Sequence, residues 1–148
     1  MTAAQWKEVY TRFNDTLCPQ DYIPVTAMLE KQAMEKPDHI AVICEDRSLS
    51  YAELNRLANR VAHSLNDKGV CAGKEQIVAI MLNRSEKVYQ ARQGILKAGG
   101  AFLFMDPEYP DERVRFILED SEAKLLITNE EQREARKELL ESMGVQAF

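Results

Sequence analysis

The chain has 148 residues, 45% hydrophobic and 29% charged, with a formal net charge of −5; that is enough for one domain with a real core and leaves no basic face for nucleic acid. Its apolar runs are too short to span a bilayer, and the charged segment around Trp6 lacks the apolar core of a secretion signal, so a cytoplasmic protein is expected, with neither nucleic acid nor membrane as a partner. Cys18, Cys44 and Cys71 are widely spaced with no CxxC pair, and His39 and His63 are the only histidines, so small buried thiols are expected rather than a zinc site or a disulfide framework.

Trp6, Val9, Tyr10 and Phe13 recur at helical spacing, which predicts a short amphipathic helix laid against the body by its aromatic side. Asn14 to Asp21 is loop-like, so residues 1–24 read as a strap or linker and 25–148 as the domain proper. Pro24 suits the first turn of a second helix, with Val25, Met28, Leu29 and Ala33 on one face and Pro37-Asp38 closing it. Ile40 to Cys44, the charged turn Glu45-Asp46-Arg47, and Ser48 to Tyr51 predict a β-hairpin at the domain edge.

Ser50 and Glu53 are spaced as a capping box, the serine accepting from the backbone at the third helical position and the glutamate reaching back. The helix they open carries Leu54, Leu57, Ala58, Val61, Ala62 and Leu65 on one stripe, turns Asn55, Arg56, Asn59 and Arg60 outward, and stops at Gly69. His63 lies at the edge of the stripe with no Ser, Cys or acidic partner placed by motif, and reads as a surface or capping residue. Gln76 to Leu82 predicts a parallel strand covered on both faces. After a cap-like Asn83 to Glu86, the helix from Ser85 to Ala98 puts Val88, Ala91, Ile95 and Ala98 on one side. Gly94 weakens it by about 1 kcal/mol relative to alanine, and Arg92, beside the stripe, is expected to reach the rim or pair with an acid.

The densest information lies in Ile95 to Pro110, ILKAGGAFLFMDPEYP. Gly99 and Gly100 end the helix, because glycine takes the left-handed geometry a helix stop requires. Ala101 to Met105 is an unbroken apolar run, predicting a second strand buried on both faces, and Asp106-Pro107 ends it. Asp106 reads first as a turn or cap carboxylate, though polar groups at the carboxyl end of such a strand are also where open α/β sheets place ligands. Pro110 then starts a helix with Val114, Ile117 and Leu118 inward, and Lys124 to Thr128 is a third core strand. Thr128 and Glu131 are spaced as another capping box, opening one helix with Ala135, Leu139, Leu140 and Met143 on a narrow stripe; Gly144 stops it and Val145 to Phe148 begins a further strand. The fold class is therefore α/β, a parallel sheet with helices on both faces and an edge hairpin.

With LSYAELNRLANRVAHSL at Leu49 to Leu65 and ILKAGGAFLFMDPEYPDERVRFILEDS at Ile95 to Ser121 on the page, the chain resembles the first part of the large N-terminal subdomain of the amino-acid adenylation domains of nonribosomal peptide synthetases, within the AMP-binding, acyl-adenylate-forming superfamily. Phe13-Asn14-Asp15-Thr16 and Tyr22-Ile23-Pro24 resemble the end of the linker from a condensation domain, and Pro37 to Val42 resembles the first hairpin strand. The resemblance covers nearly the whole chain. It departs at Gln90, Arg92 and Gln93, where the family usually carries apolar residues, and at Phe104, where it usually carries proline.

The resemblance implies that a complete domain joins an amino acid carboxylate to the α-phosphate of ATP with magnesium, then loads the aminoacyl group on a carrier-protein thiol. That chemistry needs a loop of backbone donors for phosphate, a cation for developing charge and an acid for magnesium. The six glycines here never cluster with Ser, Thr and Lys into a phosphate loop, and in the family the phosphate loop, the amino-acid pocket, the ribose-binding aspartate and the catalytic lysine lie downstream of the stretch that matches. No catalytic, cofactor-binding or metal-binding residue is therefore assigned, and no cofactor is expected for these residues alone. The expected function is that of an N-terminal adenylation-domain fragment, inactive alone, with the rest of the domain and the condensation and carrier domains as partners. The alternatives are a non-catalytic interaction module, able to pair with itself through an exposed apolar face, and a flavodoxin-like nucleotide binder. Trp6 and Phe13 of the first helix, or a second copy, are expected to cover part of that face.

Overall fold

A computed structural model describes residues 1–19 and 22–148. Thr2 caps α1 (Ala3–Lys7) in a reciprocal box with Gln5, and the helix widens into a π-helical turn at Glu8–Arg12, closed by the Phe13 amide on the Glu8 carbonyl. This segment contributes no buried residue. Trp6 stacks on Tyr10 with ring centroids 4.4 Å apart, so its aromatic side is turned on itself rather than laid against the body as expected. The predicted loop after it includes Gln20 and Asp21, which lie outside the described residues.

Pro24 sits one position ahead of α2 (Val25–Glu35), as its N-cap, with extended ψ. Leu29 of α2, Val42 of β1 (Ile40–Cys44) and Leu54 of α3 (Tyr51–Asp67) form a small apolar nucleus. β1 pairs antiparallel with β2 (Arg47–Ser50) through a tight Glu45-Asp46 turn; the hairpin is its own two-stranded sheet. Ser50 and Glu53 make the predicted capping box in both directions. The outward Asn55 expected from periodicity is half-buried, its Oδ1 unpaired among the described residues.

The main sheet has four parallel strands in the order β4-β3-β5-β6: β3 (Ile77–Met81), β4 (Ala101–Phe104), β5 (Leu125–Thr128) and β6 (Gln146–Ala147). Alternation divides it into two cores. Val78 and Ile80 meet Ala62 and Leu65 of α3 and Ala91, Ile95 and Ala98 of α4 (Glu86–Ala98). Ala79, Met81 and Leu126 meet Val114 and Leu118 of α5 (Asp111–Asp120) and Leu139 and Leu140 of α7 (Lys137–Ser142) on the other face. The predicted doubly covered strand at 76–82 is thus present as β3, central and almost solvent-free.

Further expectations change. Ala101 to Met105 is not buried on both faces: among the described residues β4 pairs with β3 alone, and Phe102 and Phe104 are 36% and 48% exposed, their rings 5.0 Å apart. An apolar run reports hydrophobicity, not coverage, and nothing among the described residues covers the outer part of this strand. The helix after β5 is two, α6 (Glu130–Ala135) and α7, broken at Arg136. Finally, the cysteines are not buried: Cys18 and Cys71 are exposed and Cys44 is intermediate.

Gly99 ends α4 at φ +89, with the Gly100 amide bonded to the Ile95 carbonyl at 3.0 Å. A Cβ at Gly99 would lie 2.5 Å from the Ala72 amide nitrogen, so both backbone geometry and space demand glycine. Gly94 serves differently. It lets α3 and α4 touch, a Cβ there falling 2.5 Å from Val61 Cβ.

Candidate functional site at the strand ends

In a doubly wound sheet, a crevice opens where successive strands send their chains to opposite faces. Here β3 leads to α4 on one face and β4 leads to α5 on the other. Their carboxyl ends border a cleft of about 720 Å³, lined by Leu82 to Arg84 from the β3 exit, Phe104 to Tyr109 from the β4 exit, and Ile80, Val88 and Gln132.

The β4 exit is shaped by its own polar groups. Asp106 Oδ1 accepts from the Glu108 amide at 2.9 Å, and its carbonyl accepts from the Tyr109 amide at 3.1 Å, so Asp106 is the turn carboxylate its place before proline suggested. Arg136 fastens this loop from outside: Nη2 donates to the carbonyls of Pro107 and Tyr109 at 3.0 and 2.9 Å, and Nη1 donates to Gln132 Oε1. Its Nε is 3.1 Å from Asp111 Oδ1, an ion-pair contact not aligned as a hydrogen bond. Reaching these carbonyls from the α6–α7 junction is what the helix break accomplishes. Helical periodicity could not flag Arg136, since its partners are 27 and 29 residues away in sequence.

β5 contributes a second unpredicted tie. Thr128 Oγ1 donates to the Met81 carbonyl at 2.7 Å, joining the two strand ends. Thr128 therefore does not cap α6. Asn129 does, accepting from the Gln132 amide at 2.8 Å, because Thr128 is the last residue of β5 and the helix opens one residue later than the box pattern placed it.

At the start of α4, Glu86 is buried and its Oε1 lies 2.8 Å from Arg47 Nη1 on β2. The Arg47 hydrogen bond, with the helix-start amide of Glu86 itself, holds this carboxyl below the usual range, against an opposing contribution from burial. Arg92 pairs with no acid among the described residues; its guanidinium lies over the Tyr89 ring at 5.3 Å. His63 is exposed on α3. No group of three or more His, Cys, Asp or Glu is placed to hold a metal among the described residues, and no helix among them is long and apolar enough to cross a membrane. The cleft can hold a small polar or mixed surface, its lining combining Ile80, Leu82 and Val88 with Asn83, Arg84, Asp106 and Glu108.

Residues 29–147 match the AMP-binding enzyme family. The chain is 42% identical over 132 residues to tyrocidine synthase 2 of Brevibacillus parabrevis, covering 87% of this chain and 4% of that protein. It is 49% identical over 104 residues to surfactin synthase subunit 2 of Bacillus subtilis (strain 168), covering 70% and 3%. Among solved structures it is similar to the nonribosomal peptide synthetase FmoA3 in its α-methyl-L-serine-AMP-bound form, with a TM-score of 0.79 and 32% identity over 89% of this chain and 14% of that one. The chain thus spans a small part of the length of the relatives it matches, and that part is the parallel sheet with its helices and separate hairpin. The chain belongs to the AMP-binding enzyme family, and its residues 29–147 match the N-terminal portion of a nonribosomal-peptide-synthetase adenylation domain.

Proposed function

We propose that this chain is the scaffold of an amino-acid-activating domain, supplying sheet and helices to a larger enzyme that forms an aminoacyl adenylate from ATP with magnesium and loads a carrier protein. Residues 1–24 act as the linker towards a condensation domain and 25–148 as the first part of the N-terminal subdomain. The observation that carries the reading is the family match over 29–147 in a sequence where no glycine cluster with Ser, Thr and Lys could cradle a phosphate. The residues at the strand ends are engaged in shaping turns rather than presented to a substrate. Three cysteines, two of them exposed, suit a reducing cytoplasm. ATP–pyrophosphate exchange with a panel of amino acids tests the proposal. The isolated chain gives no exchange, whereas turnover by it with any amino acid overturns the scaffold reading.

A second reading, a non-catalytic module that pairs with a second copy of itself, draws support from the bare Phe102 and Phe104 on the β4 edge. Sedimentation equilibrium distinguishes it: a defined dimer supports pairing, and a monomer at every concentration removes it.

A further inference from the structure

α4 has a second face besides the one it lays on the sheet. Glu86, Gln90, Gln93 and Lys97 follow one another at spacings of four, three and four, a single stripe on a helix. At its two ends sit ion pairs to the α2–hairpin layer: Glu86 with Arg47 of β2, and Lys97 with Glu30 of α2. In each pair the α4 partner is enclosed, with side chains 9% and 6% exposed, while the partner from the layer is 72% and 52% exposed. Between them Gln93 is 6% exposed, its Oε1 unpaired among the described residues. The layer's buried apolar side chains, Leu29 and Val42, meet Leu54 near the start of α3 in a nucleus separate from the two cores that flank the main sheet.

From this juxtaposition we infer that α2 and the β1–β2 hairpin, residues 25–50, form a layer that turns about its apolar contact with Leu54 of α3 and opens from α4 as a unit, held shut against α4 by the Arg47–Glu86 and Glu30–Lys97 pairs across a polar seam. An apolar seam would close by burial and ignore salt. This one closes through charges whose outer partners face water, where added salt screens them, while a buried unpaired acceptor at its centre opposes closure. The inference stands whether or not the adenylation reading does.

Hydrogen exchange read by mass spectrometry on the intact chain tests it. Raising sodium chloride from about 0.05 M to about 1 M, which collapses the screening length to roughly 3 Å, speeds amide exchange across residues 25–50. The acceleration is about threefold, the scale expected of two partly exposed pairs, and the amides of β3 and β5 serve as the unmoved reference. Gln93→Leu acts in the opposite direction. Removing an unpaired buried acceptor slows exchange in 25–50 by about tenfold and leaves β3 unchanged. Equal changes in both regions on adding salt, or a Gln93→Leu variant whose layer exchanges as in the parent, overturns the inference.

Discussion

At the scale of single residues, the charge with the most distinctive surroundings is Glu86. Its carboxyl is held below the ordinary range chiefly by the Arg47 hydrogen bond. A carboxyl whose folded pKa lies below its unfolded value adds stability above the unfolded value, near 4.5, and loses it as pH falls through the folded one. Because Arg47 is largely exposed, solvent limits the contribution to no more than about 1 kcal/mol. Glu86→Gln should therefore lower the urea midpoint modestly at about pH 7, and the difference should shrink as pH falls below 4.5 and through the lowered folded value; a difference that keeps its size into acid would rule out the charge as its source. Glu86 also shows where reading the sequence reached its limit. Ser50 and Glu53 were legible because a capping box is local chemistry three residues apart. That Glu86 would be buried against an arginine 39 residues earlier depends on how the hairpin folds over α4, which no local pattern encodes.

At the scale of elements, helices announced themselves by their ends and their stripes, and strands by apolar runs, so order and type were legible nearly throughout. What local pattern missed was set by neighbours in space. Thr128 looked like a cap, but its backbone belongs to the β5 ladder and its hydroxyl to the Met81 carbonyl. One helix became two at Arg136, whose guanidinium bonds the Pro107 and Tyr109 carbonyls. Gly94 is the sharpest case. By helix propensity alone, Gly94→Ala should stabilise α4 by about 1 kcal/mol. The structure reverses the sign: the added Cβ would meet Val61 Cβ at 2.5 Å and the Ala58 carbonyl oxygen at 3.0 Å. Backbone and a branched side chain on a packed helix yield little, so α3 and α4 must part, at the roughly 1–3 kcal/mol typical of overpacking. Gly94→Ala is expected to lower the thermal midpoint. A paired Val61→Ala should recover only part of that loss, since it removes Cγ1, met at 2.5 Å, but keeps the Cβ met at the same distance; a rise in the midpoint with Gly94→Ala alone would show that α3 and α4 pack more loosely at this point.

At the scale of the whole molecule, the layered α/β plan followed from the alternation of elements, but which strand stands at an edge did not. Strand order is fixed by crossovers: β4 lies outside β3 because the chain returns past β3 to lay down β5 on its other side. Register then places Phe102 beside Val78 and Phe104 beside Ile80, on the face that α3 and α4 cover only as far as the middle of the sheet. The cleft was foreseeable as a location, since ligands in open sheets gather at strand ends, but its shape was not, because Arg136 and Asp106 build it from distant parts of the chain. Edge strands in stable monomers usually carry a lysine, a proline or a bulge that discourages pairing. Ala101 to Phe104 carries none of these within the strand, so in isolation the chain should associate through this edge as its concentration rises. Phe104→Lys places a charge where the ring is already 48% exposed, costing little folded stability while making edge pairing bury an ammonium group. The weight-average mass by sedimentation should fall towards that of one chain in this variant, with an unchanged thermal midpoint. Phe116→Lys on α5, at a side chain 57% exposed on a helix rather than a strand, is the control for added charge alone. If both lysines dissociate the chain equally, net charge and not the β4 edge governs its association.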